Sequence, residues 1–240
     1  MFQKLKQKLI RENKLKSYLS YAIGEIILIV IGIMIAVSIN NWNQQRQTNS
    51  LKNGIYEVVM NDLQSDSAEV SSILRFYEQR KSLFDKVISK KLSETKLKEC
   101  VACRYLITSR RLLSVNQRGY LQLNDFQTTS NQRMDTLVHD LINFYSVSTD
   151  GITKLNDFIE SDITHNLQFW RDEYSWYKTY VYNEELDSSS IHYFGKSSDY
   201  KNRVAYHHTI VYKNYIPFLN YFLERSTFLL RQIRKRLKEN

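Results

Sequence analysis

One proline and six glycines serve 240 residues. So few backbone breakers exclude a fold of many tight turns and favour long helices. Two cysteines are too few for a disulfide-stapled scaffold or a four-thiolate zinc site. A Gly-rich phosphate loop, a Gly-x-Ser-x-Gly elbow, a His-Glu-x-x-His pair and any pair of histidines four apart are all missing. The sequence therefore offers none of the common motifs of phosphoryl, acyl or zinc chemistry. A general basic surface is missing as well. The net charge is +9, but residues 1–20 hold six Lys/Arg against one Glu, and residues 224–240 hold six against two. Residues 40–223, with 22 basic and 21 acidic side chains, are nearly neutral. That is not the pattern of a nucleic-acid binder. Two basic ends around a neutral body fit anionic lipid headgroups.

What is present is one long apolar run. Residues 21–39 read YAIGEIILIVIGIMIAVSI, with a single charge, Glu25. At about 1.5 Å per residue this helix spans roughly the hydrocarbon thickness. Lys4, Lys6, Lys8, Arg11, Lys14 and Lys16 precede it, whereas Arg46 and Lys52 alone follow closely. The positive-inside rule puts the N-terminus in the cytoplasm and the rest outside, in the periplasm of a bacterium. Tyr18, Tyr21 and Trp42 stand where an interfacial aromatic belt belongs. Phe2, Leu5, Leu9 and Ile10 alternate with lysines, the pattern of an amphipathic segment on the cytoplasmic leaflet. A cleaved signal peptide is the rival reading, and Ala36-Val37-Ser38 resembles a cleavage site. Against it stand the long basic region, the length of the apolar run and Glu25. Gly24, Leu28, Gly32 and Ala36 recur every fourth residue, a stripe that lets helices approach closely. Glu25 either faces a partner helix or snorkels to the headgroups.

The stretch YAIGEIILIVIGIMIAVSINNWN, with ENKLKSYL before it, resembles the N-terminal signature of a Bacteroidota family of small membrane proteins of unknown function. The match runs from Glu12 to Asn43. A weaker resemblance covers residues 118–145, where RGYLQLNDF is followed by MDTLVHDLINFY. The resemblance implies an inner-membrane, periplasm-facing helical protein and brings no catalytic residue.

Beyond the anchor, Ile55, Val58, Val59, Leu63, Val70, Ile73, Leu74, Tyr77, Phe84, Val87 and Ile88 recur at helical spacing, and this helix ends near residues 89–93. A shorter helix is expected over about 96–114, then a connection at 115–126 around Gly119. Ser130 is the expected N-cap of a helix carrying Leu137, Leu141 and Tyr145. Asp150-Gly151 reads as a break. A long helix then runs from Ile152 to Val181, followed by a Ser-rich loop at 187–199. The last helix covers 201–238, bent or restarted by Pro217. The expected fold class is all-α: a cytoplasmic segment (1–20), a transmembrane helix (21–39) and a periplasmic antiparallel bundle of four or five helices (40–240).

Candidate chemistry is thin. Cys100 and Cys103 have motif spacing, compatible with a disulfide, two free thiols or a redox pair. The strand and helix that flank a thioredoxin-like site are missing, however. His207 and His208 point about 100° apart on a helix and chelate poorly; His139, His165 and His192 are isolated. The acid pairs Asp172-Glu173 and Glu184-Glu185 read as solvated faces. No catalytic residue, cofactor or metal ligand is assigned. Trp170, Tyr174, Trp176, Tyr177 and Tyr180 encircle their helix, more aromatics than a core face takes, and the excess reads as a partner or ligand surface. The basic helix of Arg225, Arg231, Arg234, Lys235, Arg236 and Lys238 reads as a packed helix with a solvated face, or as a contact for anionic lipid or an acidic partner. The leading expectation is a membrane-anchored interaction or scaffold module without enzyme activity, working with a protein partner or as a homo-oligomer. The alternative is a small-molecule sensor signalling through its span.

Overall fold

The computed structural model describes residues 15–89, 93–129 and 136–239. All regular structure among them is helical. The basic stretch 1–14 and the expected cap Ser130 lie outside the described residues. The chain divides into two compact units, Met1–Asn53 and Gly54–Asn240.

In the first unit, helix α1 (Leu15–Ile88, 74 residues) carries the apolar run without a break. It is the one helix among the described residues that is long and apolar enough to cross a membrane. No residue from 18 to 54 is buried. The Ser38 hydroxyl donates to the Met34 carbonyl at 2.7 Å, so this polar group is satisfied within its own helix. Past the apolar run, the Arg46 guanidinium lies 5.8 Å from the Trp42 ring.

The second unit begins within α1 and continues through α2 (Glu94–Glu99), α3 (Val101–Arg104), α4 (Arg118–Thr129) and α5 (Thr136–Glu173). Next come α6 (Tyr177–Asn183), α7 (Ser188–Lys196), α8 (Ser198–Ile210), a π-turn (Val211–Tyr215) and α9 (Ile216–Glu239). Apolar side chains three and four apart on α1, α5 and α8–α9 form the larger core, among them Leu63, Tyr77, Tyr145, Ile159, Tyr215 and Phe222. Full burial of each such side chain contributes roughly 1.5–3 kcal/mol. Tyr212 donates to the Tyr77 carbonyl at 2.7 Å, and the Ser67 and Ser226 hydroxyls meet at 2.9 Å. Partner numbers fall as α1 advances, so α8–α9 runs opposite to it. A second core joins Phe84, Leu97, Cys103 and Ile107 to the aromatics of α5–α8.

Several elements differ from the sequence reading, each for a physical reason. Gly151 does not break α5; the Phe218 ring packs where its Cβ would stand, 2.3 Å from Phe218 Cζ. Gly119 does not mark a connection but lies in α4, where a Cβ would stand 2.6 Å from the Val59 backbone. Both glycines serve close approach rather than a turn. The helix expected over 96–114 is instead two short ones, α2 and α3, which part at Cys100 and end at Arg104, and residues 105–117 form a strap whose backbone is bonded by side chains of the long helices. The long aromatic helix ends at Glu173, not at Val181. The expected loop at 187–199 holds α7, started by a capping box in which Asp187 and Ser190 bond each other's backbone. Pro217 restarts the last helix through the π-turn: with no N–H of its own it follows Ile216, which donates five residues back to Val211.

Two glycine substitutions separate these roles. Gly119→Ala will lower the unfolding free energy by roughly 1–3 kcal/mol, because backbone cannot yield as a side chain can. Gly54→Ala, with nothing within 4 Å of its Cβ, will raise it by roughly 0.5–1 kcal/mol. Denaturant titration of the two variants reads both signs.

Candidate functional site

The second unit holds an open cleft of about 590 Å³. Three segments build it. The end of α5 and the turn after it supply Glu173, Tyr174, Ser175 and Trp176; α7 supplies Ser188, Ser189, His192 and Tyr193; Ser197 and Ser198 start α8. The helix starts follow from local sequence. Asp187 accepts the Ser190 N–H at 2.7 Å, and the Ser197 hydroxyl accepts from Asp199 and Tyr200. Each cap leaves the neighbouring serines at the mouth of a helix N-terminus.

Beneath the cleft lies a stack of aromatics. Tyr174 stacks on Trp176 with centroids 5.0 Å apart and meets Tyr193 at 4.6 Å. Tyr193 accepts from Trp170 Nε1 at 2.9 Å and donates to Asp199 at 2.7 Å. Asp199 also accepts from Arg203 Nε at 2.8 Å, and Arg203 donates to the Asn166 side chain at 3.0 Å. Asn166 donates in turn to the Ile107 carbonyl of the strap. A continuous polar chain thus leads from the cleft floor to the strap. Burial, reinforced by Asp199, pushes the Tyr193 hydroxyl far above its ordinary value, which keeps it a donor.

The aromatics singled out from sequence part company here. Tyr174 and Trp176 line the cleft, and Tyr177 is half-buried. Trp170, Trp176 and Tyr180 are 1–3% exposed, and Trp170 and Tyr180 sit in the second core. The exposed aromatic face expected over this helix is therefore corrected. The helix breaks at Tyr174, and α7 and α8 fold over the aromatics beyond it. His192, Tyr193 and the cleft-lining serines 188, 189, 197 and 198 were hidden inside the presumed loop. The one signal for them was the pattern Asp187-x-x-Ser190, a helix start.

Two buried acids hold the strap. On α1, Asp62 accepts from Arg118 Nη2 at 2.7 Å and from the Gly119 N–H at 2.8 Å. One turn on, Asp66 accepts from the Asn116 side chain at 2.6 Å and its N–H at 3.1 Å. Burial outweighs the Asn116 bonds, and the Asp66 carboxyl is raised to about 6, with the Asp62 charge adding to the rise. Burial, with the charges of Asp62 and Asp66 adding to it, pushes the Tyr145 hydroxyl up.

His207 and His208 diverge. His207 is buried with Nδ1 2.6 Å from Asp162, and its ring lies parallel to Phe84. His208 stacks on Tyr212 at 4.6 Å, and burial lowers its pKa. Asp162 was unreadable from sequence, being 45 positions away. No group of three His, Cys, Asp or Glu suited to a metal occurs among the described residues. Cys100 and Cys103 are joined in a disulfide, with Cys103 in the second core. In the apolar run, Gly24 and Gly32 have nothing within 4 Å of a Cβ, and Glu25 is exposed.

The model of a family described as a family of unknown function (DUF6090) matches residues 25–110. The match takes in α1 from Glu25, then α2, α3 and the first half of the strap; the cleft lies beyond it. No curated protein and no solved structure matches the chain.

The acid pair yields a pH dependence. Asp66 holds its proton more tightly in the fold than at its ordinary value of 3.8. Its contribution to stability is full below that value and is lost as pH rises through about 6. Chemical unfolding will therefore show wild type losing up to roughly 3 kcal/mol over this window, relative to its trend in Asp66→Asn. Parallel pH profiles of the two proteins would contradict the assignment.

Proposed function

We propose that the chain is a single-span protein of the bacterial inner membrane, acting as a helical interaction or scaffold module without catalytic activity. Residues 1–20 lie in the cytoplasm, and the part beyond the span lies in the periplasm as a mostly antiparallel bundle. One observation carries the reading: the apolar run of α1 has no buried residue. Its surface needs lipid or another chain around it, since water against such an area is costly. Six basic residues before the run and two after it support the orientation. The open stripe of Gly24, Gly32 and Ala36, with Glu25 beside it, supports contact with a second span. That span belongs to a homo-oligomer or to another membrane protein. The basic ends favour anionic lipid.

The cleft favours a second reading, a small-molecule sensor whose occupancy is passed to a partner through the span.

Chemical crosslinking in native membranes tests the first reading. Wild type is expected to give one discrete adduct, with Glu25→Gln and Gly32→Leu reducing its yield about three- to tenfold, as loss of about 0.6–1.4 kcal/mol of helix contact implies. A chain that stays monomeric, or an adduct equal in all three, would sink it.

A further inference from the structure

We propose that the serine-lined cleft binds a neutral polyhydroxylated ligand, of mono- or disaccharide class. This deepens the sensor reading and rests on the second unit alone. Five of the ten lining residues are serine. The hydroxyls of Ser175, Ser188, Ser189 and Ser198 make no hydrogen bond among the described residues. Each can both donate and accept, the capacity that matches a sugar hydroxyl. Trp176, 3% exposed, lines the cleft, and its indole N–H has no partner among the described residues. A buried donor of that kind needs an acceptor, and a hydroxyl or ring oxygen is one. Tyr174, half-buried at the lining, adds an aromatic body for the C–H face of a sugar ring. A volume of about 590 Å³ falls within the range of small-molecule sites.

Other ligand classes fit less well. No lysine or arginine lines the cleft, and Glu173 does. At the two helix starts that open on it, Asp187 already takes the Ser190 N–H and Ser197 those of Asp199 and Tyr200, and the Asp187 and Glu173 carboxylates set negative charge there against an anion. A cation would find Glu173 alone, because Asp199 is held by Arg203 and Tyr193 and Asp187 by its cap. A lipophilic ligand wants a mostly apolar wall, which five serines do not supply.

Calorimetric titration of the full chain, in a detergent without a sugar headgroup, tests this. The probes are glucose, galactose, N-acetylglucosamine and their β-1,4 disaccharides, with inorganic phosphate and tetramethylammonium for comparison. At least one saccharide is expected to bind saturably below about 10 mM. A Ser188→Ala/Ser189→Ala variant should weaken that binding about tenfold while the thermal midpoint stays put. Trp176→Phe, which keeps a ring but removes the N–H, should weaken it as well. Absence of saccharide binding, binding untouched by the serine variant, or saturable binding of phosphate or tetramethylammonium instead would each overturn the proposal. Saccharide binding that leaves crosslinked adducts unchanged would uphold the site and sink the relay.

Discussion

A length of backbone that is not helical runs through the second unit, and its polar groups need partners. Residues 105–117 lie against the long helices, and the helices answer with side chains. Tyr77 both donates to the Arg111 carbonyl and accepts its N–H. Tyr215 accepts the Leu113 N–H at 2.7 Å, and Asn156 donates to the Leu113 carbonyl at 2.9 Å. Asp66 and Asp62 take Asn116 and Gly119. Tyr200 and Asn166 reach the carbonyls of Cys103 and Ile107. An unpaired buried backbone group costs about as much as a lost hydrogen bond. Each of these side chains therefore fixes the register of its own helix against the strap. Tyr77 and Tyr215 suit this need, for each ring fills the core while its hydroxyl serves the strap.

The strap links the parts of the unit. It ends where α4 begins, and Asp62 caps that start from a neighbouring helix. Gly119 lets α4 close on Val59, and Tyr120 stacks on Tyr145 at 5.4 Å. At its other end, the Asn166–Arg203–Asp199–Tyr193 chain joins it to the cleft floor. Occupancy of the cleft would bear first on α7, α8 and this chain. The apolar run of α1 answers to a separate constraint, a surface with no buried residue.

The apolar helix at 21–39 was legible from sequence, because nineteen consecutive positions carry a single charge. The faces of α1, α5 and α9 were legible too, since apolar spacing survives whatever packs on it. What stayed hidden was everything set by partners far off in sequence. Gly119 and Gly151 look like breakers until Val59 and Phe218 are placed against them. The strap looks helical because its apolar residues are frequent, and nothing local reveals that Tyr77, Asp66 and Tyr215 hold its backbone. Two cleft residues, Tyr174 and Trp176, were singled out from sequence, but as part of an exposed face. The serines opposite them, taken for a loop, carry no chemistry until α7 and α8 bring them together.

Amide hydrogen exchange of the second unit measures the strap clamp directly. Such a clamp makes the amides of Leu113, Asn116 and Gly119 exchange as slowly as those of Leu63 and Ile159 in the core helices, although Leu113 and Asn116 lie outside any helix. Exchange of these three at the rate of solvent-exposed loop amides would contradict it.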